Sequence, residues 1–305
     1  MPRFGDVVIA PGFSGTVSNG FGIIFYVSNT TNPTENQGAP GPGAAGRSPR
    51  GPFGTIQAAV NAAVAGRGDV IVVQRGTYSE DVTVDKNGLT ILGAVPYGYP
   101  DHVIIQGRTV VRGSGISAYN MEFFSNSASR ISLKVGDDTT ESVSFWAENC
   151  SFSSDGTTEP LCGAMVVGGN DHTFKRCRFI DNTNGLAIHS GITSYVTGLT
   201  VEDCRFLENT TADITNGSVL PDAGYVGGIN YAVRNVLFMR NYFGAGLVTP
   251  TDFIIITDGT GTSNGFMAEN VFASATNASA TITIPSTIEY GPNGTRAGWS
   301  TAVPA

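Results

Sequence analysis

The feature that most restricts the fold is a six-residue repeat that recurs through the middle of the chain. Six segments align without gaps, each beginning with an apolar residue and ending with phenylalanine; they are residues 118–123, 147–152, 174–179, 201–206, 238–243 and 267–272. The final phenylalanines follow one another at steps of 29, 27, 27, 37 and 29 residues. A self-similar period of this length is typical of solenoids, in which each repeat stacks on its neighbour.

The content of one period separates two kinds of solenoid. The pattern LxxLxLxxN of leucine-rich repeats is absent, and no segment between the phenylalanines has the periodicity of a helix. Each period instead contains two or three short β-branched runs, such as residues 185–188 and 253–256. The sequence therefore predicts an all-β fold, a single-stranded right-handed parallel β-helix of at least six coils.

Stacked coils place equivalent residues above one another at roughly 4.8 Å. The last column of the repeat is then a core ladder of six rings, Phe123, Phe152, Phe179, Phe206, Phe243 and Phe272. The fourth column contains Cys150, Cys177 and Cys204, and we expect buried free thiols there, because free cysteine is among the most buried residue types. Disulfides between ladder neighbours stay open, since strand spacing alone does not supply their geometry. The polar third column is expected to face water.

The chain is divided into three parts by its composition. Residues 1–50 are predicted to form an N-terminal arm and a Gly/Pro-rich loop, residues 51–285 the β-helix, and residues 286–305 a C-terminal tail. Apolar residues at helical spacing predict a capping helix at about 53–65, with Thr55 as its N-cap. Such a helix would cover the open end of the stack. The 37-residue step is expected to hold a surface loop within residues 210–230.

Charge and hydropathy exclude several functions. The net charge of −8 argues against nucleic-acid binding, which depends on Lys and Arg neutralising phosphates. No run of about 18 apolar residues exists, so no membrane partner is expected, and the first residues do not resemble a signal peptide. The three histidines, His102, His172 and His189, match no metal-binding spacing. We therefore expect neither a metal nor a cofactor.

The region before the repeats resembles the opening of the pectin-lyase-like superfamily. The segments that carry the resemblance are FYVSN, PFGTIQAAVNAA, GDVIVVQRGTYSEDVTV and GLTILGA, and it extends over about residues 22–285. The superfamily includes pectate lyases, pectin methylesterases, and phage tailspike and capsid-surface proteins. The resemblance implies the fold strongly and function weakly, because one scaffold supports many activities.

Each enzyme activity that the resemblance implies requires its own residues. A lyase needs clustered carboxylates for calcium with a basic partner, and the nearest cluster is Asp137 and Asp138 with Glu141. Residues 251–255 are similar to part of the methylesterase motif GxxDFIFG, which would make Asp252 the nucleophile, although the YQD and LGRPW segments are missing. A structural interpretation is favoured for both: a solvated acidic turn at residues 137–141, and an ordinary strand at residues 251–255.

Two further groups of residues have both a structural and a functional interpretation. Stacking would place acidic turn residues side by side, as a glycosidase needs, but any β-helix with acidic turns produces such pairs; they are Asp171, Asp181, Glu202, Asp203 and Glu208. Aromatic residues between polar turns would suit sugar binding or ordinary strand-edge packing; they are Tyr97, Tyr99, Trp146, Tyr195, Tyr225 and Tyr231.

The function that these features favour is a non-catalytic phage virion surface protein, either a capsid decoration (cement) protein or a spike. The resemblance implies a homotrimer that contacts other virion (capsid) proteins and a surface glycan, made in the host cytoplasm and located on the virion surface. The alternatives are a polysaccharide lyase or glycan hydrolase acting on host surface carbohydrate, and a module that binds carbohydrate without cleaving it. Whether the chain is an enzyme stays open, with the non-catalytic interpretation favoured.

Overall fold

One period of the repeat is one turn of backbone that gives a strand to each of three parallel sheets, named A, B and C in the order in which the chain reaches them. The computed structural model describes residues 22–29, 46–95, 98, 102–137, 139–155, 157–189, 195–216, 232–244, 250–258, 261–273, 281–291 and 294–295. Within these residues the chain passes through A, B and C in eight complete successive turns. The predicted right-handed parallel β-helix is confirmed.

The strand bounds below follow the stacking order and refer to the described residues. Sheet A contains Ile24–Val27, Val70–Val73, Thr90–Gly93, Ser117–Tyr119, Trp146–Glu148, Thr173–Lys175, Thr200–Glu202, Val236–Met239, Gly265–Ala268 and Ile288–Tyr290. Sheet B contains Gly76–Tyr78, Val103–Gln106, Met121–Phe124, Ser151–Ser153, Arg178–Ile180, Arg205–Leu207, Tyr242–Gly244, Val271–Ala273 and Gly294–Thr295. Sheet C contains Val82–Val84, Thr109–Val111, Ile131–Val135, Cys162–Val167, Asn184–His189, Ala212–Thr215, Asp252–Ile255 and Thr281–Thr283. Val196–Thr197 and Val233–Arg234 form a separate short pair.

The turn from sheet A to sheet B explains the polar third column of the repeat. In six coils this residue has a left-handed backbone with φ between 52° and 58°; the residues are Asn120, Asn149, Arg176, Asp203, Arg240 and Glu269. One left-handed residue bends the chain sharply within two residues. Asparagine adopts this conformation readily, whereas arginine and glutamate adopt it at a cost of about 1 kcal/mol. The constant turn keeps successive coils in register.

The phenylalanines of the repeat lie directly above one another inside the stack. Neighbouring rings are nearly parallel, with centroids 5.3, 4.7, 4.6, 4.9 and 4.9 Å apart from Phe123 to Phe272. The corresponding residues are paired in register between neighbouring strands of sheet B. Stacked aromatic pairs add about 0.5–1.5 kcal/mol each beyond their buried area. The stack is therefore a continuous stabilising element along most of the molecule.

The capping helix spans Ile56–Ala62, which is shorter than the predicted range of about 53–65. Thr55 is its N-cap and accepts a hydrogen bond from the Ala58 amide, whereas Phe53 is extended and pairs with Val27. The side chain of Gln57 bonds to both backbone groups of Thr83, accepting from its N–H at 2.6 Å and donating to its carbonyl at 3.3 Å. Thr83 lies in the first strand of sheet C, so Gln57 takes the place of a neighbouring strand at that edge.

The β-helix extends beyond the predicted limits of 51 and 285. The strand Ile24–Val27, within the predicted arm, pairs with Val70–Val73 because Phe25 and Val27 bury their side chains in the core. At the other end, Ile288–Tyr290 and Gly294–Thr295 continue sheets A and B into the predicted tail. Ala212–Thr215, within the predicted 210–230 loop, is a buried strand of sheet C. Residues 217–231 lie outside the described residues.

Candidate functional site

Asp137, the first candidate calcium ligand, is held by its own turn. Its Oδ1 accepts hydrogen bonds from the Thr139 and Thr140 amides at 2.9 and 2.7 Å, and its Oδ2 accepts one from Arg112 Nε. Burial acts to raise the pKa of Asp137, but these bonds outweigh it and lower the pKa below the usual value. Asp138 lies outside the described residues. Among the described residues, no group of three or more histidine, cysteine or acidic side chains is arranged to hold a metal.

Asp252, the candidate nucleophile, begins a strand of sheet C and is only partly buried. The residues in register with it are Ala212 and Thr281, neither of which can act as an acid or a base. Burial raises the pKa of Asp252. Its position therefore provides neither the second carboxylate nor the arginine that the methylesterase interpretation needs at the neighbouring ladder positions.

The outer side of sheet C is buried over several coils, which restricts what the sheet can bind. Ile131, Cys162, Met165, Val167 and Ala187 form an apolar cluster separate from the interior of the helix. The residues Lys134, Met165, Ala187 and Thr215, which follow one another in register, are no more than 7% exposed. This part of sheet C is therefore not an open groove for a polymer.

Two carboxyl groups converge at the turn from sheet B to sheet C. Asp181 and Glu208 occupy equivalent left-handed positions in successive coils, with φ values of 57° and 58°. The pKa of Asp181 is raised to about 6 by burial, by a hydrogen bond with Glu208, and by repulsion from Glu208 and Glu159. Glu159 also accepts a hydrogen bond from Thr210 Oγ1 at 2.7 Å. Stacking brought these acids together, as the repeat spacing allowed.

Two of the other candidate acids, Glu202 and Asp203, are paired with bases along the edge of sheet A. Glu202 contacts Lys175 Nζ at 2.9 Å and also pairs with Arg240. Asp203 contacts Arg240 Nε at 2.8 Å. Because these pairs join neighbouring coils through partly exposed side chains, each contributes at most about 1 kcal/mol to stability. Their arrangement is that of a paired, nearly neutral surface.

The histidines do not form a common site. His172 is fully buried; it accepts a hydrogen bond from the Phe145 amide and contacts the Gly168 carbonyl, and burial lowers its pKa to about 4. His102 pairs with Glu122 on the outer side of sheet B, and Ser153 Oγ donates to the same carboxylate. His189 is 4% exposed in sheet C. Three separate environments rule out a shared histidine metal centre.

Two of the candidate aromatic residues have local partners. Trp146 donates from Nε1 to Glu148 at 3.0 Å. The Arg234 guanidinium lies 3.7 Å from the centre of the Tyr195 ring. The other four candidates, Tyr97, Tyr99, Tyr225 and Tyr231, lie outside the described residues.

The cysteines are free and buried. Cys150, Cys162, Cys177 and Cys204 are no more than 1% exposed, and none is in a disulfide. Burial raises the pKa of Cys150, Cys162 and Cys177, which suppresses the reactive thiolate. These residues act as packing groups.

A polar groove that no sequence motif predicted lies at the turn from sheet B to sheet C, in the coils near the N-terminal end of the stack, called the lower end here. Its volume is about 290 Å³, and its lining consists of Gln106, Gly107, Ser125, Asn126, Ser127 and Arg130. These residues come from two successive coils, so only the register of the stack brings them together. No motif or spacing marks such a groove in advance.

No protein-family model and no curated protein matches the sequence. Among solved structures, the deglycosylated form of pectin methylesterase from Aspergillus niger is 16% identical, with 91% of this chain and 90% of that chain covered and a TM-score of 0.52. The penultimately deglycosylated form gives 16% identity, coverage of 92% and 87%, and a TM-score of 0.52. Pectate lyase Pel9A gives 16% identity, coverage of 92% and 81%, and a TM-score of 0.49. The likeness to the Aspergillus niger pectin methylesterase shows that this chain has the fold of that protein, a right-handed parallel β-helix.

Proposed function

We propose that this protein is a non-catalytic structural protein of a phage virion surface, a capsid decoration protein or a spike, and that it acts as a homotrimer. The observation that carries the proposal is the assignment of Asp137, Glu202 and Asp203 to structural bonds. Each of these carboxylates holds a turn or joins two coils. A group whose charge is already satisfied in this way is poorly placed for acid–base chemistry.

The construction of the rod supports the same proposal. The interior is one continuous apolar cluster that includes the stacked phenylalanines, and it extends from Phe25 to Ile288. At the lower end, the capping helix and Gln57 cover the edge of sheet C. A stack with a continuous core and a covered end resists unfolding and edge-to-edge association. These are properties that a particle-surface protein requires.

The proposal is tested by mass and by particle binding. The full chain and a variant lacking residues 1–21 should be compared by light scattering and by co-sedimentation with the phage particle. The deletion stops at residue 21 because the Ile23 N–H donates to Asp69 Oδ1 and the strand Ile24–Val27 is part of sheet A. We expect a trimer that co-sediments, and loss of one or both properties on truncation. A full-length monomer that does not co-sediment would contradict the proposal.

A second candidate, a glycan hydrolase, is favoured by one observation, the raised pKa of Asp181 beside Glu208. A carboxyl that is protonated near pH 6 is suited to act as a general acid. However, a direct hydrogen bond brings carboxyl oxygens to about 2.7 Å, whereas glycosidases separate their carboxyl groups by roughly 5–10 Å to accommodate the sugar. Release of reducing sugar from bacterial glycans that disappears in Asp181→Asn would favour this candidate.

A further inference from the structure

The polar groove has free hydrogen-bonding groups directed from both coils. The Oε1 atom of Gln106 accepts from Ser79 Oγ at 3.0 Å, which leaves its amide N–H groups available. Asn126 is exposed, and within the described part of the chain its side chain makes no hydrogen bond. Ser127 Oγ has a long contact of 3.4 Å with Ser129 Oγ. Planar amides and hydroxyls at the same opening can donate to and accept from a ligand at once.

The groove is close to electrically neutral. Arg130 lies 3.5 Å from Asp81, and both side chains are about half exposed, at 49% and 58%. The same Asp81 oxygen accepts from the Arg108 amide at 2.8 Å. A cationic ligand would be repelled by Arg130, and Asp81, which lies against Arg130 although it is not part of the lining, reduces the attraction for an anionic ligand. The pair instead offers one strong acceptor and several strong donors to an uncharged polar molecule.

An apolar surface lies beside the polar lining. Phe124 is in register with Gln106 in sheet B and is partly exposed on the outer side. Gly107 lets its own coil approach the coil below it, because a Cβ atom at this position would lie 2.2 Å from the Glu80 carbonyl oxygen. Phe124 is not part of the lining but lies beside it, so an aromatic surface adjoins the polar groups of the groove, the combination found in small-molecule sites.

We propose that this groove binds one residue of a neutral, hydroxyl-rich glycan. A hexose has hydroxyl groups that both donate and accept, together with apolar C–H faces, and these match the amides, the Arg130–Asp81 pair and Phe124. The volume of about 290 Å³ accommodates a single sugar ring but not a buried oligosaccharide. The proposal adds a ligand to the structural function, and a surface protein with this groove would attach reversibly to a glycan.

The test is a calorimetric titration of the full chain with neutral hexasaccharides of glucose, mannose and galactose, and with a galacturonate hexasaccharide for comparison. We expect at least one neutral probe to bind with a dissociation constant of about 1 mM. Asn126→Ala and Arg130→Met should each weaken binding by about 5-fold, as expected for the loss of one or two hydrogen bonds. Arg205→Met is the matched control, because Arg205 is exposed on sheet B outside the groove.

Three results would overturn the proposal. The first is that no neutral probe binds at concentrations up to about 20-fold above the expected dissociation constant. The second is a preference for the galacturonate probe, which would mean an anion site. The third is equal binding by Asn126→Ala, Arg130→Met and Arg205→Met, all with unchanged thermal unfolding, which would place the sugar elsewhere. None of these results bears on the trimer or on particle binding, so the two proposals fail separately.

Discussion

The fourth column of the repeat has cysteine side chains in its lower coils and asparagine side chains in its upper coils, and both kinds of side chain form hydrogen bonds to the backbone of neighbouring coils. At the turn from sheet A to sheet B, the column contains Cys150, Cys177 and Cys204 in the lower coils and Asn241 and Asn270 above them. Each side chain accepts from the backbone N–H of the coil below: Cys204 Sγ does so at 3.4 Å, Asn241 Oδ1 at 2.9 Å. A thiol and an amide are thus interchangeable in position, although sulfur is the weaker partner.

The donor side of the column shows the same parallel. Cys204 Sγ donates to the Phe174 carbonyl at 3.4 Å, and Asn241 Nδ2 donates to the Val201 carbonyl at 2.9 Å. Each side chain has a second acceptor within reach: the Glu202 carbonyl lies 3.3 Å from Cys204 Sγ, and Asn241 Nδ2 donates to Asn270 Oδ1 at 3.0 Å. In these five coils the position holds a small side chain that can both donate and accept, whereas the coil below them has the buried Met121 there. The cysteines are therefore members of a hydrogen-bonded ladder, in addition to filling the core.

The largest expected effect on stability is that of removing the hydrogen bonds of one asparagine of the column. Asn241→Leu keeps the size of the side chain but leaves the Cys204 N–H and the Val201 carbonyl without their partners in a fully buried site. Because each unsatisfied buried group costs about 1–3 kcal/mol, we expect a loss of about 4 kcal/mol in the free energy of unfolding. Denaturant titration measures this. A loss below about 1 kcal/mol would mean that the ladder is not a stabilising network.

A second ladder of buried side chains, at the turn from sheet B to sheet C, consists of two asparagines and ends in the carboxyl group of Asp213. Asn182 donates to Asn209 at 3.1 Å, and Asn209 donates to Asp213 Oδ1 at 2.8 Å. Asp213 is fully buried, its Oδ2 has no partner, and burial raises its pKa well above the usual value. The folded protein therefore holds a proton that the unfolded chain releases above about pH 4.

The buried acid makes stability depend on pH. The contribution of Asp213 is fully present below the pKa of the unfolded chain, and it declines as pH rises towards the higher pKa of the folded state, by up to about 1.4 kcal/mol per pH unit. Asp181, whose pKa is about 6, adds a decline of the same sign between about pH 4 and 6. Asp213→Asn should remove the larger part of the slope and stabilise the protein by about 2 kcal/mol at pH 7. Parallel slopes in variant and wild type would contradict this.

The smallest expected effect on stability is that of replacing one cysteine of the column with asparagine. Cys177→Asn introduces the side chain that Asn241 has two coils higher. Its amide N–H can donate to the Ala147 carbonyl in place of the thiol, which lies 3.5 Å from that oxygen. We expect the free energy of unfolding to change by less than about 1 kcal/mol, because stronger hydrogen bonds offset a tighter fit. Cys177→Val is the control that cannot bond. If the asparagine variant were less stable than the valine variant, the cysteine and asparagine parts of the column would not be equivalent.

Side-chain repetition made the fold predictable, and its interruptions limited the prediction. The phenylalanine column fixed the period, and Thr55 and the apolar face of residues 56–64 indicated the capping helix. The ends were predicted less well, because Ile24–Val27 and Ile288–Tyr290 lie outside the phenylalanine repeat, although Phe25, Val27 and Ile288 are buried in the core. The left-handed turn was missed because arginine and glutamate rarely adopt it.

The geometry of a candidate site could be predicted from the sequence only where all its residues belong to one turn. The self-contained turn of Asp137 could be interpreted locally, and its structural role is visible in its bonds to Thr139 and Thr140. The groove and the Asp181–Glu208 pair join residues of different coils, so their geometry depends on register. Sequence spacing allowed such pairs at many positions and could not select among them.

An activity measurement on the purified full chain tests most directly whether this β-helix is non-catalytic. Pectin, polygalacturonate and mixed bacterial surface glycans should be incubated with the protein and assayed for reducing ends, for unsaturated products and for released methanol. We expect no product above the level of a heat-denatured control, because the protein is proposed to be non-catalytic. Any product that increases with protein concentration and disappears in Asp181→Asn or Asp252→Asn would contradict it and make this β-helix an enzyme.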